Sequence, residues 1–117
     1  MGAQEFSVYA VAKTPQDAFR KAQREADDYY GHREGYSGQI NSKHEFVVVP
    51  YEKYKGREAE KVAWELVEQN WRGLDDKWGP AGCIEIKTDK ASRIKKSEGV
   101  SGKKGYKVYY LFGLAPY

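Results

Sequence analysis

Tyr106-Lys-Val-Tyr-Tyr-Leu-Phe-Gly-Leu114 is the stretch whose reading decides the fold. Tyr106, Val108, Tyr110, Phe112 and Leu114 recur with period two, so they share one face of a strand. The preceding apolar segment, Cys83-Ile-Glu-Ile-Lys-Thr88, is a shorter strand of the same kind, with Ile84 and Ile86 inward. Together they read as a C-terminal antiparallel hairpin. The 89–105 segment between them is polar and carries Lys90, Arg93, Lys95, Lys96, Lys103 and Lys104 with Gly99 and Gly102. It reads as a long, mobile basic loop.

Working outward, Phe6 to Ala12 alternates as a first strand, with Phe6, Val8, Ala10 and Ala12 on one face. Thr14-Pro15-Gln16-Asp17 then starts a helix. Thr14 is placed to cap it, and Pro15 sits where its missing N–H costs nothing. Ala18, Ala22, Ala26 and Tyr29/Tyr30, flanked by Phe19, form its stripe, and Gly31 stops it. His44-Glu-Phe-Val-Val-Val49 reads as a second strand. Its continuous valine run predicts burial on both faces and a central place in the sheet. Arg57 to Arg72 is a second helix with Ala59, Val62, Ala63, Leu66, Val67 and Asn70 inward, and Trp64 and Trp71 beside that stripe. The expected fold is α+β, a single two-layer sandwich over residues 1–117. Its order is β-α-β-α-β-β, with about four strands and both helices packed on one face.

Composition narrows the function classes. No apolar run approaches the roughly 20 residues of a membrane span, and the N-terminus lacks the basic and apolar regions of a secretory signal. The single cysteine, Cys83, excludes an internal disulfide and a cysteine-built zinc site. These features predict a soluble cytoplasmic protein. The net charge of +3 is unevenly spread: residues 1–87 hold 13 Lys/Arg against 15 Asp/Glu, and residues 88–117 hold seven against two. A basic last quarter points to an anionic partner.

Two loops carry the candidate functional residues. Tyr29-Tyr-Gly-His-Arg-Glu-Gly-Tyr-Ser-Gly-Gln-Ile40 combines glycines, tyrosines and a His-Arg-Glu triplet. Glycine permits close backbone approach to a ligand, and tyrosine offers both a stacking face and a hydrogen bond. Tyr30, His32, Arg33, Tyr36, Ser37 and Gly38 are its ligand-binding candidates, although Gly35/Gly38 lack the following Lys-Ser/Thr of a phosphate-binding P-loop. Lys77-Trp-Gly-Pro-Ala-Gly82 supplies Lys77 and Trp78, with Trp78 weighed against the plainer role of closing the core beneath a loop. Lys95 and Lys96 are the phosphate-neutralising candidates of the basic loop. His32 and His44, twelve residues apart, match no metal-ligand spacing. His32 is the one candidate general acid or base. No cofactor and no metal is expected.

The segments Tyr30-Gly31, Gly35-Tyr-Ser-Gly-Gln-Ile40, Lys77-Trp-Gly-Pro-Ala-Gly82 and Tyr110-Leu-Phe-Gly-Leu-Ala115 resemble a group of short prokaryotic and phage-associated proteins. That group carries a Gly-Tyr-Ser/Thr-Gly-x-Ile turn, a Lys-Trp-Gly-Pro-Ala-Gly loop and a Phe-Gly-x-Ala end, in this order over most of the chain. The resemblance implies a stand-alone domain of phage or mobile-element origin and supplies no catalytic residue. The leading expectation is a non-enzymatic binding domain for an anionic ligand, either nucleic acid or a nucleotide-like molecule. The alternatives are a module that binds and inhibits a host protein, and a His32-dependent phosphodiesterase or nuclease.

Overall fold

The computed structural model describes residues 2–31 and 37–117. It is an α+β structure with one mixed four-stranded sheet and three helices. Strands β1 (Ala3–Ala12), β2 (Phe46–Val48), β3 (Ala81–Ile86) and β4 (Lys107–Pro116) lie in the order β1-β4-β3-β2. β4 is antiparallel to both neighbours, and β2 is parallel to β3. Helices α1 (Pro15–Tyr30), α2 (Ala59–Glu68) and α3 (Asp89–Ser97) connect them.

The local signals act as expected at both ends of α1. Thr14 Oγ1 accepts from the Asp17 N–H at 3.1 Å. Gly31 closes the helix at φ +77°, donating to the Asp27 carbonyl. The Ala18-Ala22-Ala26 stripe is buried, and its small side chains let α1 lie close on the sheet.

The layers differ from the expected sandwich. Val108, Tyr110 and Phe112 of β4, with Ile84 and Ile86 of β3, pack against Val62, Ala63, Leu66 and Val67 of α2 and Ala91 of α3. The opposite face, Tyr109, Leu111 and Ala115 with Ala81 and Cys83, packs against Ala18, Phe19, Ala22 and Ala26 of α1. Side chains alternate across a strand, so α1 covers one face and α2 with α3 the other. The helices are not both on one face, because every residue from Val108 to Gly113 is buried. Continuous burial belongs to β4, a central strand between β1 and β3, and not to the valine run. That run is a three-residue edge strand with Val48 half exposed.

Two further elements depart from the sequence reading. The 89–105 segment is not a plain loop: its first half is α3, with Ala91 buried and Ile94 against the core. Lys95 and Lys96 lie in its last turn, where cations favour the helix dipole. The second helix is shorter than the expected 57–72. Asn70 (φ +52°) and Arg72 (φ +51°) adopt left-handed backbone, which stops the helix and turns Asn70 outward. The Asn70 side chain instead accepts from the Asp75 N–H at 3.0 Å.

On the α2 face the core is aromatic. Trp64 donates from Nε1 to the Tyr110 hydroxyl at 3.0 Å, and its ring meets Phe112 edge-on at 5.9 Å. Phe112 is fully buried and lies over Gly82 of the neighbouring strand, where an added Cβ would run into the ring. Gly82→Ala is therefore expected to destabilise the fold by about 1–3 kcal/mol through overpacking. Combining it with Phe112→Leu should recover part of that loss. Urea unfolding of the four proteins checks this, and an unchanged midpoint in Gly82→Ala would contradict the packing.

Candidate anion-binding groove

β3 runs from Ala81 to Ile86, and the residues singled out in the sequence divide between its two ends. At the start of β3 lie the second glycine-rich loop and the described end of the first, Ser37 to Ile40. His32, Arg33 and Tyr36 fall outside the described residues. Tyr30 ends α1 half exposed, its ring edge-on to Tyr29 at 4.8 Å. Ser37 is engaged locally, hydrogen-bonded to Asn41 and to the Ser42 hydroxyl, while accepting from the Gln39 N–H. Gly38 is buried at φ +72°, donates to the Pro116 carbonyl at 2.8 Å, and faces the side chains of Gln4 and Tyr117. These contacts make the turn a clasp on the end of β4.

Trp78 does not close the core: it is 59% exposed, with the Lys77 ammonium over its ring at 5.7 Å. The two glycine loops are joined by a residue that stands outside both. Lys43, which follows Ser42, is 4% exposed and donates to the carbonyls of Lys77 (3.0 Å) and Gly79 (2.9 Å). Burial lowers its pKa from the ordinary 10.5 to about 8, with Asp76 offsetting part of the effect. Its only sequence signal is a lysine just ahead of a strand, which resembles any surface lysine.

Lys95 and Lys96 belong to the other end of the sheet, on α3 after β3. There the chain leaves β2 and β3 through the starts of α2 and α3, at the carboxyl ends of two parallel strands. Open α/β sheets commonly bind ligands at such ends. A groove of about 720 Å³ opens here, lined by Tyr51, Tyr54 and Arg57 to Glu60 on one side and Ile86 to Lys90 with Arg93 on the other. The N-cap side chains Glu58 and Thr88 make no capping bond. The Glu60 carboxylate takes its own N–H and Asp89 sits in the first turn of α3, and the remaining first-turn N–H groups border the groove. Such N–H groups and the helix dipole favour anions.

Charges within the groove are balanced. Lys90 is hydrogen-bonded to Glu60 at 2.7 Å and lies over the Tyr9 ring at 4.9 Å, while the Tyr9 hydroxyl donates to the same carboxylate at 2.5 Å. Burial alone would raise the Glu60 pKa, but the hydrogen bonds from Lys90 and Tyr9 outweigh it and hold the carboxyl below its ordinary value. This triad ties β1 to α2 and α3. Arg57 pairs with Glu65 at 2.5 Å and Lys87 with Glu85 at 3.4 Å. Arg93 makes no ion pair with a described residue. Tyr54 is buried in the floor, its hydroxyl pushed up to about 12 by burial and the Glu85 charge. Tyr51 is 44% exposed, edge-on to Tyr54, with Lys87 over its ring at 5.1 Å.

Among the described residues no group of three or more His, Cys, Asp or Glu could hold a metal ion, and no helix is long and apolar enough to cross a membrane. His44 is exposed. Cys83 is fully buried, and burial pushes its thiol up to about 12. It is a small core residue with little thiolate character at neutral pH. Compared with known protein families, curated proteins and solved structures, the chain matches none.

The Lys43 clasp has a pH signature. Above about pH 8 the folded chain releases a proton that the unfolded chain keeps up to the ordinary lysine range, so stability rises with pH across that window. Tyr54 and Tyr109, both raised to about 12, act oppositely above the ordinary tyrosine value of 10.0, where the unfolded chain ionises first and stability falls. Cys83, raised from 9.0 to about 12, opposes the climb in the same way from pH 9 upward. Urea midpoints are therefore expected to climb from pH 8 to about 9 in the wild type and to lose that climb in Lys43→Met. An identical climb in both proteins would place the titrating group elsewhere.

Proposed function

We propose that the protein is a non-enzymatic binding domain for a phosphate-bearing, nucleotide-like anion, taken in the groove between the starts of α2 and α3. The observation that carries this reading is the convergence of two helix N-termini, whose N-cap side chains make no capping bond, with Lys87, Lys90 and Arg93 on one groove. Phosphate oxygens would accept from the backbone N–H groups of both first turns, and Arg93 would complete their neutralisation. The Arg57–Glu65 and Lys87–Glu85 pairs are partly exposed, and pairs of that kind are worth little in water, so a phosphate competes for Arg57 and Lys87 at small cost. Tyr51 presents an exposed ring beside the lysines on which a base can stack. The volume is in the range of small-molecule sites, roughly 300–1,000 Å³.

This reading keeps the anionic ligand expected from the charge split but moves its binding residues. Of the residues marked in the sequence, Lys95 and Lys96 share a helix with the groove, whereas Ser37, Gly38, Lys77 and Trp78 lie at the opposite end of β3. A second reading is favoured by a separate observation: Tyr29 (82%), Tyr30 (51%) and Trp78 (59%) are exposed near that opposite end. Exposed tyrosine and tryptophan suit an anchor for a protein partner. The two readings differ in salt response, because phosphate contacts weaken steeply with salt and an apolar interface does not.

Calorimetric titration with pyrophosphate, a nucleoside diphosphate and a single-stranded oligonucleotide, at low and high salt, tests the proposal. Lys87→Glu with Arg93→Glu is expected to weaken binding of the diphosphate ligands by tenfold or more, at about 1.5–3 kcal/mol for each charge-assisted hydrogen bond removed. Lys77→Glu should leave it unchanged. Equal affinity in the Lys87/Arg93 double variant would remove the groove from consideration.

A further inference from the structure

The two edges of the sheet are built differently. β2 exposes only three residues and is followed closely by Pro50, both of which discourage pairing with another strand. β1 runs ten residues, contains no proline, lysine or arginine, and carries Glu5 as its one charge. Two hydrogen bonds set the direction of its backbone groups. Tyr117 donates to the Gly2 carbonyl at 3.3 Å on the β4 side, and Lys21 Nζ donates to the Val11 carbonyl at 3.2 Å from outside the sheet. Even-numbered residues therefore turn their N–H and C=O groups to β4, and odd-numbered residues turn theirs outward. Lys21 also reaches Glu98 at 3.5 Å, bridging over the edge and closing it at Val11. No described residue takes the outward groups of Glu5, Ser7 or Tyr9.

We propose that a second copy of this chain occupies that edge, antiparallel to β1, about a two-fold axis at Ser7. Ser7 is the midpoint of the outward-turned residues 5, 7 and 9, whose backbone groups no described residue takes. Pairing there sets Ser7 against Ser7 of the second copy, and Glu5 against Tyr9, with both backbone bonds exchanged at each rung. Phe6 and Val8 meet on the α1 face. The register is isologous, as a two-fold contact requires.

The side of α1 turned to the edge carries charges that fit this occupant. Gln23 and Asp27 point the other way, bonded to Ile40, Lys43 and Asn41. Lys21 and Glu25 lie on the edge side: Lys21 holds Val11, and Glu25 lines a cavity of about 260 Å³ with Phe6, Ser7 and Val8. Helical spacing puts Asp28 on that side and Arg24 at its margin. The cations precede the anions along the helix. An antiparallel neighbour about an axis near Ser7 therefore brings Lys21 and Arg24 of one copy against Asp28 and Glu25 of the other, in both directions at once. A parallel neighbour would turn its α1 to the opposite face of the sheet and make none of these contacts, so the charge order fits the antiparallel partner.

Sedimentation equilibrium of the full chain, from low micromolar to submillimolar concentration, tests this. The wild type is expected to approach twice the 13.4 kDa chain mass. Ser7→Lys places two like charges directly opposite each other at the axis and is expected to weaken association about tenfold or more. Val48→Lys, on the short opposite edge, should leave it unchanged. Arg24→Glu should weaken association, and Arg24→Glu with Glu25→Arg should restore it. This charge-reversal pair decides the matter even if Ser7→Lys perturbs the fold, which circular dichroism reports. Lys87→Glu with Arg93→Glu leaves association intact, so failure of the groove and failure of the edge are separable. A wild type that is monomeric throughout, an association indifferent to Ser7→Lys in a folded protein, or no rescue by the double reversal would each overturn the proposal.

Discussion

The fold depends on burial of β4 on both faces. One strand of alternating side chains supplies Val108, Tyr110 and Phe112 to the core under α2, and Tyr109, Leu111 and Ala115 to the core under α1. Each large apolar side chain removed from water stabilises the fold by about 1.5–3 kcal/mol, so β4 outweighs every other strand. Because it is antiparallel to both neighbours, it leaves β1, β2 and β3 mutually parallel. That direction sends the chain from β2 and β3 into α2 and α3 at one end of the sheet and gathers the second glycine-rich loop and the described end of the first at the other. The groove, the Lys43 clasp and the open β1 edge are consequences of this placement.

Much of the fold was legible in short-range signals. The Thr14-Pro15-Asp17 start, the Gly31 stop, the alternation of β1 and the inward Ile84 and Ile86 are set by neighbouring residues, and each took the structure it encodes. The departures are long-range in origin. A run such as Val47-Val48-Val49 and a run such as Val108–Phe112 both satisfy the pattern of a doubly buried strand. Which one is central depends on partners far away in the chain. The lysine-rich stretch after Asp89 hides its helix because charge dominates its composition. Ala91 and Ile94 are enough to seat a helix on the core while its other faces carry the lysines.

The candidate site was less legible, for a physical reason. Helix N–H groups belong to the backbone and have no residue signature, so Ala59 and Lys90 look ordinary in a sequence. Arg57, Lys87 and Arg93 are scattered over 37 positions and acquire a common purpose only when β2 and β3 end side by side. The conspicuous residues turned out differently. Ser37 and Gly38 hold a turn against Pro116, and Trp78, which suits a core position by composition, is exposed. Glycine and serine in a loop signal backbone geometry at least as often as ligand contact. Lys43 was silent because a buried lysine differs from a surface one only in what surrounds it.

Native-state hydrogen exchange tests the central role of β4 most directly. If both faces of β4 hold the molecule together, the amides of Val108 to Phe112 exchange only through global unfolding. Their opening free energies should then match the stability measured in urea. The amides of Phe46–Val48, on the short edge strand, should exchange through smaller, local openings. Slower exchange in β2 than in β4, or opening of β4 at a fraction of the global free energy, would contradict the account and return the centre of the sheet to the valine strand.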